Sequence, residues 1–237
     1  PTASLNVAGL VASTLNIRDD DFLAGRYAFS RDPNSPATAS VINEGLIRAR
    51  DGGYVVLAGD YAANRGIVEA RLGTVALAAG SKVTLDLQGD SLINLAVNEK
   101  TVAALAGVAN SGALNADGGR VVMTAAVARD LAGSVVNNSG VIRASSTVAK
   151  GGAIYLVGDG GDVSSSGSLD VSGAHGGNVT VQSTGTTLVS GSVDASGSAG
   201  NGGTVQVLGQ YAGLTGNANI DASGTTGGGT VLVGGDY

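Results

Sequence analysis

Three aspartates recur in the second half of the chain, each after the same short step: Ser168-Leu169-Asp170, Ser192-Val193-Asp194 and Asn219-Ile220-Asp221. Stacked strands would bring carboxylates at such intervals onto one face. Neighbours about 5–10 Å apart would then either repel or share a Ca²⁺ through oxygen ligands. Two or three acids converging with a cationic residue would also suit cleavage of a polysaccharide. The surroundings favour a plainer role. The offsets from Asp170, Asp194 and Asp221 to the next double glycine are 7, 9 and 8 residues, which predicts a loose register, and no Arg or Lys lies between them. These residues read as an acidic, solvated ladder.

Other chemistry-bearing residues stand alone. Gly158-Asp159-Gly160-Gly161-Asp162-Val163 is shaped like a calcium-binding nonapeptide but occurs once, without tandem copies, and reads as a turn. His175 is the only histidine and has no Ser or Asp partner at a diagnostic spacing, so it reads as a solvated turn residue. Asp19-Asp20-Asp21 suits the N-terminus of a short helix, where acids need no cation to explain them. Tyr54, Tyr61, Tyr155, Tyr211 and Tyr237 are too sparse for a continuous sugar-stacking groove. The Gly-Gly pairs lack the strand-loop-helix context and the Lys-Ser/Thr of a phosphate loop. No catalytic, cofactor-binding or metal-ligating residue is assigned, no cofactor is implied, and the chain does not read as an enzyme.

The elements that carry these residues repeat. Gly52-Gly53-Tyr54-Val55-Val56-Leu57 returns as Gly118-Gly119-Arg120-Val121-Val122-Met123, Gly151-Gly152-Ala153-Ile154-Tyr155-Leu156, Gly176-Gly177-Asn178-Val179-Thr180-Val181, Gly202-Gly203-Thr204-Val205-Gln206-Val207 and Gly228-Gly229-Thr230-Val231-Leu232-Val233. The second glycine of the last four copies falls at 152, 177, 203 and 229. Such a period predicts a solenoid. A second landmark lies upstream: Asn43-Glu44-Gly45-Leu46-Ile47-Arg48, Asn64-Arg65-Gly66-Ile67-Val68-Glu69, Asn110-Ser111-Gly112-Ala113-Leu114-Asn115 and Asn138-Ser139-Gly140-Val141-Ile142-Arg143. Each period therefore holds two or three short strands between Gly, Asn and Ser turns. Stacking them predicts an all-β parallel β-helix with the asparagines aligned as a side-chain amide ladder, since a lone coil cannot bury its apolar face.

Composition agrees with a thin aliphatic core: 40 Gly, 3 Pro, 2 Phe and no Trp. A net charge of −6 with scattered cations argues against a nucleic-acid footprint and against anionic lipid. Cysteine is absent, so there is no disulfide scaffold or thiol nucleophile. No run approaches the roughly 18 apolar residues of a membrane span, and no stretch reads as a signal peptide. The start at Pro1 and the end inside a repeat at Gly234-Gly235-Asp236-Tyr237 predict a segment of something longer.

Three stretches depart from the repeat. Residues 1–36 read as a strand over Leu5 to Ala12 followed by an N-capped helical turn at Asp19-Asp20-Asp21-Phe22. Lys82-Val83-Thr84-Leu85-Asp86-Leu87 and Leu92-Ile93-Asn94-Leu95-Ala96-Val97 flank Gln88-Gly89-Asp90-Ser91 as a hairpin on the flank of the rod, there either to cover an edge or face or as mere decoration. Asn98 to Ala106 reads as a short helix, and Ala125 to Val136 as another short helix or loop.

Val7-Ala8-Gly9-Leu10-Val11-Ala12-Ser13-Thr14 with Asp19-Asp20-Asp21-Phe22, followed by the Asn-x-Gly and Gly-Gly coils, resembles the later part of the secretion domain of filamentous-haemagglutinin-like exoproteins. These are the large partners of two-partner secretion, and the last repeats are similar to those that follow the domain in such adhesins. The resemblance implies a right-handed parallel β-helix, export through an outer-membrane β-barrel transporter, and residence at the outer surface of a Gram-negative bacterium or release from it. It divides the chain into residues 1–150, the later part of a secretion-type domain with its hairpin near 82–97, and residues 151–237, Gly/Ser-rich coils continuing the rod. The function so implied is a structural and adhesive rod that supports attachment to host or matrix polysaccharide or glycoprotein and biofilm. The alternatives are a β-helical polysaccharide lyase or hydrolase, and the stalk of a contact-dependent inhibition or haem-capture exoprotein.

Overall fold

A computed structural model describes residues 3–36, 38–86, 94–128, 133–147 and 151–235. Each coil gives one short strand to each of three parallel stacks, the parallel β-helix that the repeat predicts. The first stack runs Ser40–Asn43, Tyr61–Asn64, Gly107–Asn110, Ser134–Asn138, Asp162–Ser165, Thr186–Val189 and Tyr211–Leu214. The second starts in the first part of the long strand Leu46–Gly59 and continues through Ile67–Glu69, Ala113–Asn115, Val141–Arg143, Ser168–Asp170, Ser192–Asp194 and Asn219–Asp221. The third takes the latter part of Leu46–Gly59, then Thr74–Ala79, Arg120–Ala126, Ala153–Asp159, Asn178–Ser183, Thr204–Leu208 and Thr230–Val233. Ser4–Ser13 pairs with both parts of Leu46–Gly59, shifting register between Val7 and Gly9 as it rounds the corner.

Alternation explains why these segments are strands: every second side chain points inward. Leu57, Leu77, Met123, Leu156, Val181 and Val207 form one register column, and Ile47, Val68, Leu114, Ile142, Leu169 and Val193 another. All are buried in one continuous cluster, each worth about 1.5–3 kcal/mol against exposure.

The double glycines are required where coils cross closest. A Cβ on Gly73, Gly119, Gly177, Gly203 or Gly229 would fall inside the van der Waals radius of a glycine carbonyl one coil below. The glycine of Asn-x-Gly stacks in the same way, Gly66 on Gly45, Gly112 on Gly66 and Gly140 on Gly112. Directly before that second column runs the predicted amide ladder. Asn43 Nδ2 donates to Asn64 Oδ1 at 2.8 Å, Asn64 to Asn110 at 2.9 Å, and Asn110 to Asn138 at 2.9 Å. Asn138 then donates to Ser165 Oγ at 3.3 Å. The asparagines also donate to turn carbonyls, as Asn64 does to Gly66 and Ala113, so amides buried in an apolar rod keep their partners. Beyond Ser165 the same column holds Val189 and Leu214.

The expected hairpin forms, with Lys82–Asp86 antiparallel to Asn94–Glu99; its tip, Gln88 to Ser91, lies outside the described residues. Sequence reasoning did not foresee its partners. Tyr27–Ser30 pairs with Lys82–Asp86, and Asn16–Ile17 with Tyr27–Ser30, making a four-stranded antiparallel sheet outside the rod. This sheet covers a face. Val56, Ala58, Ala76 and Ala78 point outward from the third stack, and Leu15, Val83 and Leu85 bury them in a second core.

One expected helix is corrected, and a stretch expected as helix or loop is only partly described. Asn98 and Glu99 end a strand, Thr101 bridges to Val127, and Gly107 opens the next coil, so Asn98 to Ala106 is extended or irregular. Across Ala125 to Val136, strands Arg120–Ala126 and Ser134–Asn138 account for both ends, while residues 129–132 lie outside the described set. The one-turn helix Asp19–Leu23 is present, but Arg18 precedes it without a side-chain cap and the three aspartates fill its first turn. No helix among the described residues is long and apolar enough to cross a membrane.

What fixes the outer sheet to the rod is a buried ion pair. Asp60, 1% exposed, accepts from Arg31 Nε at 2.7 Å and from the Thr101 hydroxyl, while its backbone carbonyl takes the Gly107 N–H at 3.0 Å. Arg31 also donates to the Ser35 carbonyl at 2.8 Å. The N-terminal insertion, the first coil and the return from the hairpin thus meet at one carboxylate. Asp60→Ala strands the arginine and is expected to cost about 3–5 kcal/mol in denaturant unfolding; a loss under about 1 kcal/mol would show that the outer sheet is held otherwise. Asn110→Ala, which removes an inner rung of the ladder, is expected to cost about 1–3 kcal/mol. Ser165→Ala, at the ladder's end, should cost less in the same measurement.

Candidate functional site

The second stack carries a polar column along its outer side. Arg48, Glu69, Asn115, Arg143, Asp170, Asp194 and Asp221 are register partners in turn. The predicted loose register is therefore corrected: the three aspartates are strictly aligned. Each lies three residues before a bridged glycine, at 173, 197 and 224. All variation in the offset to the next corner falls after that bridge, in the length of the loop.

Each of these carboxylates folds onto its own turn. Asp170 Oδ1 accepts from the Ser172 N–H at 2.9 Å and the Ser172 hydroxyl at 2.7 Å. Asp194 accepts from the Ser196 N–H at 2.9 Å and Asp221 from the Ser223 N–H at 2.8 Å. The motif Asp-x-Ser is an Asx turn that ends a strand. The Ser223 backbone N–H, assisted by its side chain, holds the Asp221 carboxyl below its usual value. One coil earlier, Arg143 Nε lies 3.2 Å from Asp117 and 3.9 Å from Asp170. Further back, Arg48 pairs with Glu69 at 2.6 Å. Among the described residues, no group of three or more acidic or histidine side chains is placed to hold a metal ion.

The remaining sequence candidates are dispersed. Asp159 pairs with Lys100 at 2.7 Å, whereas Asp162 accepts from the Thr186 N–H at 2.7 Å, so the nonapeptide-like stretch is a coil corner with its acids turned apart. His175 is exposed with its ring over Gly200. Asp21 pairs with Arg26 at 2.8 Å. Tyr54 packs against the second core and over Gly9, and Tyr211 is exposed. Tyr237 lies outside the described residues.

Two clefts remain. One, of about 220 Å³, sits at the corner between the second and third stacks and includes Arg71, Asp117, Arg143, Ser145 and Ser146. Its charges are matched, because Arg71 is bonded to Asp51 and Arg143 to Asp117; the Asp51 carboxyl is held low, first by the hydrogen bond from Arg71. The other, of about 290 Å³, opens on the third stack where the outer sheet stops. Asn94 and Leu95 of the edge strand form its wall, and Arg120, Val122, Thr124, Tyr155 and Val157 its floor. Arg120 donates to Asn94 Oδ1 at 3.2 Å. Nothing in the local sequence marks this cleft, since Arg120 and Tyr155 belong to different coils and Asn94 to the insertion.

The family model of the TPS secretion domain matches residues 1–171. The chain belongs to the TPS secretion domain family. It is also similar to the crystal structure of the HMW1 secretion domain from Haemophilus influenzae, with 27% identity and a TM-score of 0.71 over 97% of this chain and 70% of that one. A search of curated proteins finds no match. Membership makes this chain part of a secreted exoprotein exported by two-partner secretion, through a partner transporter in the outer membrane. The predicted family, all-β class and mode of export agree with these findings.

Asp221 supplies a direct check on the turn assignment. Its folded-state value is depressed, so its stabilising contribution is complete above the unfolded-state value and is lost as the pH falls through the folded one. An NMR pH titration is expected to place its midpoint below that of an ordinary exposed carboxylate. Ser223→Pro, which removes the donating N–H, should raise it; an ordinary midpoint in the unaltered chain would contradict the assigned turn.

Proposed function

We propose that this chain is a structural and adhesive rod of its exoprotein, displayed at the cell surface or released, and that it supports attachment to host or matrix glycans and biofilm. Residues 1–150 act as the later part of the secretion-type domain, and residues 151–237 extend the same rod. The observation that carries this reading is the uninterrupted core from Ile47 to Val207, which couples every coil to its neighbours. Such a rod is stiff along its axis and presents long faces of repeating polar side chains, suited to many weak contacts with an extended polymer. A chain without cysteine also has no disulfide to obstruct passage through a pore in the unfolded state.

The test pairs two measurements. The purified chain is applied to glycan arrays and immobilised exopolysaccharide while release of oligosaccharide is monitored, and a strain deleted for the whole exoprotein is scored for attachment and biofilm. Saturable binding without cleavage, together with reduced attachment, is expected. Cleavage would move the chain to the polysaccharide lyases or hydrolases, and unchanged attachment in the deletion strain would remove the adhesive role.

A further inference from the structure

The outer side of the second stack carries an aliphatic column beside the polar one. Leu46, Ile67, Ala113 and Val141 are register partners in turn, and the column then continues as Ser168, Ser192 and Asn219. The residue after each aliphatic one, Ile47, Val68, Leu114 or Ile142, is buried in the core, so the column itself points outward. Ile67 is 43% exposed and Val141 46%. The sheet that covers the third stack leaves this column bare.

Charges border the column on both sides, and their order alternates from coil to coil. Glu44 lies in the turn before Leu46, and Arg48 lies two residues after it. One coil on the order is reversed, with Arg65 in the turn before Ile67 and Glu69 two residues after it. Within the chain these four side chains pair along the rod axis, Glu44 with Arg65 at 2.9 Å and Arg48 with Glu69 at 2.6 Å. Their side chains remain 35–56% exposed, so each pair can still take an opposite charge from outside.

A complementary surface must set a base against Glu44 and an acid against Arg48, and the converse one coil further on. The same face, turned by half a rotation about the rod axis, meets that requirement. Glu44 then faces Arg48 of the second copy, Arg65 faces Glu69 of the second copy, and the aliphatic columns meet along the axis. The next two coils add Ser111 against Asn115 and Ser139 against Arg143, donor-acceptor combinations without a charge clash. Turning one rod end over end on the same column would instead set Arg48 against Arg143, a like-charge contact.

We infer that two copies of this chain pair side by side through this column, parallel and in register. The interface is isologous, the same patch serving both partners. Burial of Leu46, Ile67, Ala113 and Val141 drives the association, and the two bordering four-charge networks fix its register and direction. Four coils extend only about 15–20 Å, so the contact is smaller than the roughly 800 Å² per partner of a standard stable complex. The pair is therefore weak in dilute solution and forms readily where copies are held close together at one surface. This pairing is independent of any glycan that the rod binds.

The test is sedimentation equilibrium of the purified chain over a concentration series, with small-angle X-ray scattering of the same samples. A monomer–dimer equilibrium is expected, weakening as salt rises, with the dimer thicker than the monomer but little longer. Ile67→Glu is expected to weaken it by at least about tenfold. Two double variants each reverse one border while keeping its ion pair within the chain: Glu44→Arg with Arg65→Glu, and Arg48→Glu with Glu69→Arg. Each alone is expected to lose at least about tenfold in self-association, with circular dichroism unchanged. Mixing the two should restore dimers, because each reversed border then meets a reversed partner, and one chain carrying all four substitutions should dimerise again. A chain that stays monomeric at every concentration would overturn the proposal, as would a dimer indifferent to these variants or folded double variants that fail to associate on mixing. End-to-end association through the exposed last strand, Thr230–Val233, would nearly double the length of the particle and would overturn it as well.

Discussion

Successive coils lie one strand spacing apart, about 4.8 Å, and on three faces every backbone N–H and C=O must find its partner on a neighbouring coil. That spacing constrains each column separately. Where the chain turns sharply, a side chain would strike the carbonyl beneath it, and only glycine fits, as at Gly203 over Gly177. Where a turn leaves carbonyls pointing into the rod, an amide must answer them, and Asn64 does so for Gly66 and Ala113 while also bonding to the next amide. Inward positions need aliphatic residues of matched size because each packs on the coil above and below. A substitution in such a stack is felt by two neighbours at once, so the columns hold or fail together.

Because the constraint acts on columns, much of the architecture is legible in a single sequence. Aligning Asn43, Asn64, Asn110 and Asn138 shows the ladder, and aligning the double glycines shows the corners. The polar column was also open to view: Arg48, Glu69, Asn115, Arg143, Asp170, Asp194 and Asp221 hold equivalent places in successive copies. Counting from the aspartates forward to the glycines obscures it, because the loop after the bridged glycine at 173, 197 or 224 varies in length. Counting from the strand start restores the alignment. Local rules could not supply the outer sheet's full membership. Tyr27–Ser30 and Lys82–Asp86 are separated by two coils of rod, and only the tertiary fold pairs them. Asn98 to Ala106 has helix-compatible residues, yet Thr101 is drawn to Asp60 and the segment forms no helix.

The outer sheet has a composition signal of its own. In Val55-Val56-Leu57-Ala58 and Val75-Ala76-Leu77-Ala78-Ala79 the alternation of apolar and polar residues disappears, as it does wherever both sides of a strand are buried. From Asn178-Val179-Thr180-Val181-Gln182 onward it is regained. A continuous apolar run in two coils and an alternating one in later coils mean that something covers the first pair and stops short of the others. The long insertion between Ala79 and Gly107 is the available cover, and Asp60 is the point at which the cover and the rod share a charge.

The boundary of that cover is where a uniform rod acquires a local irregularity. Along most of its length the rod repeats, so no coil offers a surface that its neighbours do not, and any affinity is spread thinly over many equivalent positions. At the edge strand Asn94–Glu99 the repetition is broken. A wall rises beside a flat face, and Arg120 is tied to it through Asn94. Because Arg120, Tyr155 and Asn94 come from two coils and an insertion, their arrangement exists only once the coils have stacked and the sheet has docked. Such an arrangement is assembled by the same packing that builds the rod, so it depends on the stacked coils and the docked sheet together.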